Sequence, residues 1–411
     1  MRETLAKLLA AATLVLVLGL VLLFGWRQQQ RIEQASMTVD PASWAALYPQ
    51  HYASFMRTAD NYGRTDHGGS EPYDKLAAKP FRLRAFAGNA FALDYKAARG
   101  HYYAQSDQRD SRRTRERNPP AGCINCHAAE APALIATLGW EQLHAMDYNA
   151  LRGDLHFGSA CSDCHAPDTM ALQVTRPALL TALQSQGVDT TALTRDELRT
   201  YVCAQCHVEY YFTSAGQQLV LPWALGRGLE QVEAYYDNIG FSDWTHAETG
   251  AAMIKMQHPE TELYGAGVHA QLGVTCADCH MPAVTEQRLR ISDHWIRSPL
   301  VQIEAACGSC HERGTPDSLR ARSVALQDQT VALLAVAEAA LTDLMDAIVA
   351  AQQSGVSDEA LREARYAQRR AQLRWDFIDA ENSTGFHAAA EARRLLEAAA
   401  ALAREGTAAL Q

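Results

Sequence analysis

The chain has no cysteine to spare. All ten fall into five pairs two residues apart, at Cys123/Cys126, Cys161/Cys164, Cys203/Cys206, Cys276/Cys279 and Cys307/Cys310, and no lone thiol is left over. Positive charge is also short: 37 Lys and Arg stand against 47 Asp and Glu, a formal charge of −10, which argues against nucleic acid as a partner. The pairs are unevenly spaced, which excludes a simple repeat array. What remains is a chain of 411 residues, 48% hydrophobic and 20% charged, long enough for two domains or one large one.

Each cysteine pair is followed at once by a histidine: His127, His165, His207, His280 and His311. Two thiols at this spacing reach the two vinyl groups of a haem, and the adjacent imidazole falls under the iron. A disulfide framework or a zinc ribbon explains a lone Cys-x-x-Cys but not five following histidines. By composition alone that coincidence has a chance on the order of 10⁻⁷. The reading is five covalently attached haem c groups.

The N-terminus fits export from the cytoplasm. Residues 8–26 are nearly all apolar and follow Arg2 and Lys7; the run is long for a signal core and sufficient to span a bilayer. No A-x-A-like site follows it, so residues 1–36 read as a retained membrane anchor, with a cleaved signal peptide as the alternative. Arg27 and Arg31 on the far side weaken any orientation argument from Arg2 and Lys7.

Residues 37–315 hold every motif, with many short segments and Gly/Pro breaks. They leave little room for a conventional apolar core, which the haems are expected to supply. Residues 316–411 differ in character. From about 319 to 353 neither Pro nor Gly occurs, and Leu334, Ala337, Leu341, Leu344 and Ile348 mark a helical packing seam. The seam suits either the core of one subunit or a subunit interface. Gly355 is a stop; Ser357, Asp358 and Glu359 begin a second helix running to about Asn382; Gly385 breaks it, and a third helix begins near Ala388. The fold class is therefore mainly α, a multihaem cytochrome with a haem-packed region and long C-terminal helices.

Of the 15 histidines, those outside the motifs are His51, His67, His101, His144, His156, His246, His258, His269, His294 and His387. An electron-transfer haem takes a second axial ligand, whereas a haem that performs chemistry keeps one position open. Spacing alone does not say which histidines are ligands.

Several further runs carry a resemblance. They are Gly-His at 100–101, Asp-Gln-Arg-Asp-Ser-Arg-Arg-Thr at 107–114, Cys-Ala-Gln-Cys-His-Val-Glu-Tyr-Tyr-Phe at 203–212 and Phe-Ser-Asp-Trp-Thr at 241–245. Lys-Met-Gln-His-Pro at 255–259, Val-Thr-Cys-Ala-Asp-Cys-His-Met-Pro at 274–282, Arg-Trp-Asp at 374–376 and Gly-Phe-His at 385–387 complete the set. In content and order the chain resembles the pentahaem cytochrome c nitrite reductases, which reduce nitrite to ammonium with six electrons and eight protons.

That resemblance implies four bis-histidine haems and one open haem. His101 would be the distal ligand of the third haem, His269 of the fifth, His294 of the second and His387 of the fourth. The open haem, on Cys123/Cys126, would have His127 behind it and Arg113, Tyr210 and His258 on its substrate face. Many members of the family carry lysine where this motif has His127; this chain is of the histidine variant. The resemblance also implies one calcium ion beside that haem, held by the Glu209 side chain, the Tyr210 and Lys255 carbonyls and the Gln257 side-chain oxygen. These are hard oxygen donors suited to a hard cation.

Arg113 offers a permanent charge and forked donors to a bound anion, and His258 can carry a proton near neutral pH and pass it on. Arg109, Arg112, Arg115 and Arg117 beside Arg113 could draw an anion in despite the acidic whole. His51, His67, His144, His156 and His246 are expected to be plain surface or core residues. The resemblance further implies a periplasmic homodimer, held through its C-terminal helices and fed by a membrane quinol dehydrogenase or a soluble multihaem cytochrome. The competing readings are an electron-transfer cytochrome with no substrate of its own, which requires five six-coordinate irons, and a related enzyme acting on hydroxylamine or sulfite.

Overall fold

The computed structural model describes residues 2–36, 39–214 and 217–411. Helix α1 (Arg2–Ser36) contains the apolar stretch Ala6–Arg27, of which nothing is buried against the rest of the chain. At 1.5 Å per residue its 22 residues extend about 33 Å, enough for the roughly 30 Å hydrocarbon core of a bilayer.

The region after α1 is built from short helices joined by turns. Helix α2 (Ala104–Asp110) stops at Ser111, whose extended backbone and hydroxyl, accepting from the Thr114 N–H at 3.2 Å, start α3 (Arg112–Arg117). Arg113 therefore sits in the first turn of α3. Helix α4 (Arg195–Ala204) opens with a capping box: the Glu197 carboxylate accepts from the Thr194 N–H at 2.8 Å while the Thr194 hydroxyl accepts from the Glu197 N–H. It ends on the third attachment motif. A two-residue hairpin, β1 (Tyr211–Phe212) against β2 (Leu219–Val220), follows directly after Glu209 and Tyr210.

Three long helices finish the chain: α5 (Pro316–Gln353), α6 (Asp358–Ala380) and α7 (Ala389–Ala408), each packed on the other two. Thr315 caps α5 with Pro316 at its first position, and Ser357 caps α6. The starts agree with the sequence reading; α6 ends two residues earlier than expected, at Ala380. Gly406 marks where α7 approaches closest. A β-carbon there would lie 2.7 Å from the Ala367 Cβ and 3.0 Å from a Leu344 methyl, so any larger residue forces the helices apart.

Leu334, Ala337, Leu341, Leu344 and Ile348 are all buried inside the subunit, against Leu373, Trp375, Leu395 and Leu396. The seam is thus packed within the subunit; the exposed large apolar residues of α5 are Val331 and Val336. Each buried large side chain contributes about 1.5–3 kcal/mol.

A second expectation also changes. Residues 37–315 do carry apolar cores of their own, one around Leu179, Leu183 and Trp223 and another around Ile124, Leu143, Tyr148 and Leu155. The C-terminal core also takes in Phe86, Tyr95, Tyr236 and Met256 from that region. Short helices bury little singly, but several of them close over a shared hydrophobic centre.

Candidate active site and haem centres

All five motifs open onto one continuous cavity of about 2760 Å³, several times the 300–1,000 Å³ of an ordinary ligand pocket. None of the ten cysteines is in a disulfide. Neighbouring motifs lie close enough for their thiols to interact: Cys126 with Cys206, Cys203 with Cys276, Cys279 with Cys307, and Cys164 with Cys206. Those contacts string the motifs in the order first, third, fourth, fifth, with the second joining at the third.

Histidine rings face each other across the cavity. His165 and His294 have ring centres 6.1 Å apart, His101 and His207 6.1 Å, His280 and His387 6.3 Å, and His269 and His311 6.1 Å. A metal–imidazole bond of about 2.0–2.1 Å, plus about 1.1 Å from ring nitrogen to ring centre, places two rings on one iron about 6.3 Å apart. The four spacings leave room for an iron in each pair, and the donor set fits haem. His207 has a second ring neighbour, His258, at 6.3 Å; His258 also lies within electrostatic reach of His127, whereas His101 interacts with His207 and His280.

The back nitrogens are held too. The Nδ1 atoms of His127, His165, His280 and His294 meet the carbonyls of Ala104 (3.1 Å), Met170 (2.9 Å), Arg297 (3.1 Å) and Ser292 (2.8 Å). Such bonds fix each ring's tautomer and leave Nε2 for a metal. The Glu381 carboxylate stands 2.5 Å from His387 Nδ1.

His127 differs from the other four. Among the described residues it makes no ring contact with another histidine. Instead Arg113 and Tyr210 lie within electrostatic reach of Cys123, and His258 within reach of His127. The Arg113 side chain is half-buried and stacks 3.9 Å from the centre of Phe91, with Tyr95 at 5.9 Å; its Nε is out of water and has no hydrogen-bond partner. Burial pulls its proton affinity down. Asp94 lies within electrostatic reach, and the idle Nε leaves a charge-assisted donor for an added anion.

Burial pushes the Tyr210 phenol well up, so it stays a neutral donor. It also pushes His258 down to about 3. His258 is a neutral ring with an unpartnered Nδ1, and an anion brought close would raise its proton affinity again.

Gly122, just before the first motif, is needed for close approach. A β-carbon there would fall 2.5 Å from Phe212 of β1. The motif and the hairpin following Tyr210 therefore pack backbone against ring.

The proposed calcium donors gather nearby. The Glu209 carboxylate is fully buried and accepts from the Gln257 N–H at 2.6 Å and the Tyr236 hydroxyl at 2.8 Å. Burial, with Asp243 and Glu262 adding like charge, raises it well above the carboxylate range; Asp243 rises to about 6 and Glu262 to about 8. The nearby Lys255 ammonium is committed to Asp376 at 2.9 Å. The Gln257 amide donates to the Lys255 carbonyl at 3.2 Å, and half a turn of that amide would present its oxygen beside that carbonyl instead. A dry Glu209 carboxyl beside carbonyl and amide oxygens fits a hard cation. Among the described residues no three His, Cys, Asp or Glu cluster as a metal site, as expected when most donors are carbonyl and amide oxygens.

Sequence reasoning missed Phe91, Tyr95, Tyr236 and Glu262. Their signal is only aromatic or acidic residue type, without spacing. The remaining histidines are structural or peripheral. His144 is buried and accepts from the Leu219 N–H, His246 meets the Arg84 carbonyl, His67 pairs with Asp328, His156 is exposed, and His51 packs 5.2 Å from His294.

Five attachment motifs around one cavity, four of them with a second histidine ring facing the first, define a multihaem c-type cytochrome. Residues 40–411 match the cytochrome c552 family model, and the chain belongs to that family. It is 38% identical to a cytochrome c-552 of Parabacteroides distasonis over 85% of this chain and 72% of that one. It is 35% identical to the cytochrome c nitrite reductase subunit NrfA of Nitratidesulfovibrio vulgaris, over 84% and 73%. Its fold is similar to the solved NrfA catalytic subunit of the Desulfovibrio desulfuricans cytochrome c nitrite reductase, described with two calcium sites. That likeness has a TM-score of 0.86 and 33% identity, covering 91% of this chain and 86% of that one.

Proposed function

We propose that the chain is an ammonia-forming nitrite reductase acting at the haem on Cys123/Cys126. The observation that carries this is the idle, buried Nε of Arg113 beside the motif whose histidine, among the described residues, faces no other histidine ring. The haem, when bound, supplies the site where nitrite is held and reduced. Arg113 binds and orients the anion through its charge and idle Nε donor. Tyr210 donates a hydrogen bond from a phenol that burial keeps protonated. His258 passes protons from one ring nitrogen and refills at the other, its proton affinity rising as the anion arrives.

His294, His101, His387 and His269 complete the second, third, fourth and fifth haems, in that order, with the motif histidines they face, and these serve as the relay. Glu209, Gln257 and the Tyr210 and Lys255 carbonyls hold calcium, which neutralises the buried carboxyl and fixes the strand that carries Tyr210. The N-terminal helix anchors the protein at the periplasmic face of the inner membrane. A membrane quinol dehydrogenase or a soluble multihaem cytochrome delivers electrons, and a homodimer forms through the C-terminal region, whose exposed apolar residues include Val331 and Val336. Incubating the purified, reduced protein with nitrite should yield ammonium. No ammonium above a haem-free control would end this assignment, and a resting spectrum without high-spin iron would favour pure electron transfer.

A further inference from the structure

Arg176 lies between the first three attachment motifs and belongs to none of them. Its side chain is 2% exposed. Nε donates to the Asn125 carbonyl at 2.5 Å and Nη2 to the Ala128 carbonyl at 3.3 Å, so it grips the first motif's backbone on both sides of His127. Nη2 also donates to the Asp163 carboxylate, inside the second motif, at 2.7 Å, and Nη1 to the Thr175 hydroxyl at 2.6 Å. The third motif joins through Gln205. Its Oε1 accepts from the Thr175 N–H at 3.0 Å, its Nε2 donates to the Asp163 carbonyl at 2.9 Å, and its own carbonyl accepts from the Asn125 amide at 3.4 Å.

Asn125, Asp163 and Gln205 hold the same place in their motifs, immediately before the second cysteine. In the fourth motif that place is Asp278, which bonds to Thr275 and Arg199 instead. The junction is thus confined to the first three motifs, where the second joins the string at the third beside the first. It holds one guanidinium and one carboxylate, both out of water.

We propose that Arg176 is a positioning residue that locks the first three haem-attachment motifs into one rigid unit, and that its pairing with Asp163 keeps this unit electrically neutral, holding the reduction potentials of the haems around it. The reason is electrostatic. In a dry interior an unbalanced charge acts on nearby irons with little screening. Oxidised haem carries one more positive charge than reduced haem, so a stray cation favours reduction and a stray anion opposes it. The inference rests on the haem motifs and is independent of the nitrite assignment.

The test is a potentiometric titration of the purified five-haem protein, followed by visible absorption and by the spin-state signal of the first haem. Asp163→Asn strands a guanidinium that cannot lose its proton. It should shift the ferric/ferrous ratio of the adjacent haems about tenfold toward ferrous at fixed potential, a rise of about 59 mV for a one-electron couple. The double variant Asp163→Asn with Arg176→Met should return those midpoints to the wild-type values. Arg176→Lys keeps the charge without the fork; midpoints should stay, while the first haem's spin-state signal becomes heterogeneous. Unshifted midpoints in Asp163→Asn overturn the proposal, as does a double variant that remains shifted. If Arg176→Lys leaves a wild-type signal, the positioning role falls. Should the double variant fail to assemble, Asp163→Asn alone decides the electrostatic role.

Discussion

Arg113 gives the sharpest test of the proposed site. Arg113→Lys preserves the charge but removes the planar fork, including the Nε that has no partner among the protein's own groups. The guanidinium lies 3.9 Å over Phe91, so a compact ammonium there loses both the stacking and one charge-assisted hydrogen bond to the anion. Such a bond is worth about 1.5–3 kcal/mol, or about 10- to 150-fold in affinity. The nitrite KM should rise by that factor, measured by steady-state ammonium formation with an artificial low-potential donor, and nitrite titrated onto the oxidised first haem should weaken in parallel. Arg113→Met should go further and also raise the protein's resistance to denaturant, because it removes a desolvated cation that the native chain leaves unpaired. A fully loaded Arg113→Lys protein whose KM and nitrite affinity stay within about twofold of wild type would refute the reasoning.

Calcium binding to chelator-stripped protein should weaken as pH falls, because protons compete for a Glu209 carboxyl that burial has already raised. Titrations at pH 6 and pH 8 should differ by up to about tenfold per unit for one competing proton, and equal affinities would count against Glu209 as a ligand. His387→Ala should retain five covalent haems yet add a second high-spin iron, read by paramagnetic resonance; an unchanged spectrum would remove His387 from the fourth haem. Asp376→Asn strands the buried Lys255 ammonium and should cost about 3–5 kcal/mol of stability in a denaturant titration, whereas a loss below about 1 kcal/mol would mean the ammonium finds another partner.

The haem attachment points were legible from ten cysteines and five histidines alone, because covalent chemistry demands a fixed local spacing. The C-terminal helices were nearly as plain, since caps at Thr315 and Ser357 and a three-four seam are local signals too. The partner histidines were not. Nothing about His101 or His387 in the chain announces which motif each will face, and only family resemblance joined them; the facing rings agree with it. The surroundings of His258 were not legible either, because burial is a property of everything packed around it. The same holds for Arg176, which reads as one arginine before a proline until three distant motifs close around it.

His387 carries a consequence for the order of assembly. His101 and His269 precede the motifs they face, and His294 follows its own by a wide margin but still ahead of the last motif. Only the fourth haem draws a ligand from beyond every attachment site, near the very end of the chain. As the polypeptide emerges amino end first, that iron, if His387 is its ligand, waits with one face uncovered until residues 386–388 are in place. Completion of the fourth haem would then report that synthesis has passed His387, and a product ending before it would declare itself through that one vacant coordination position.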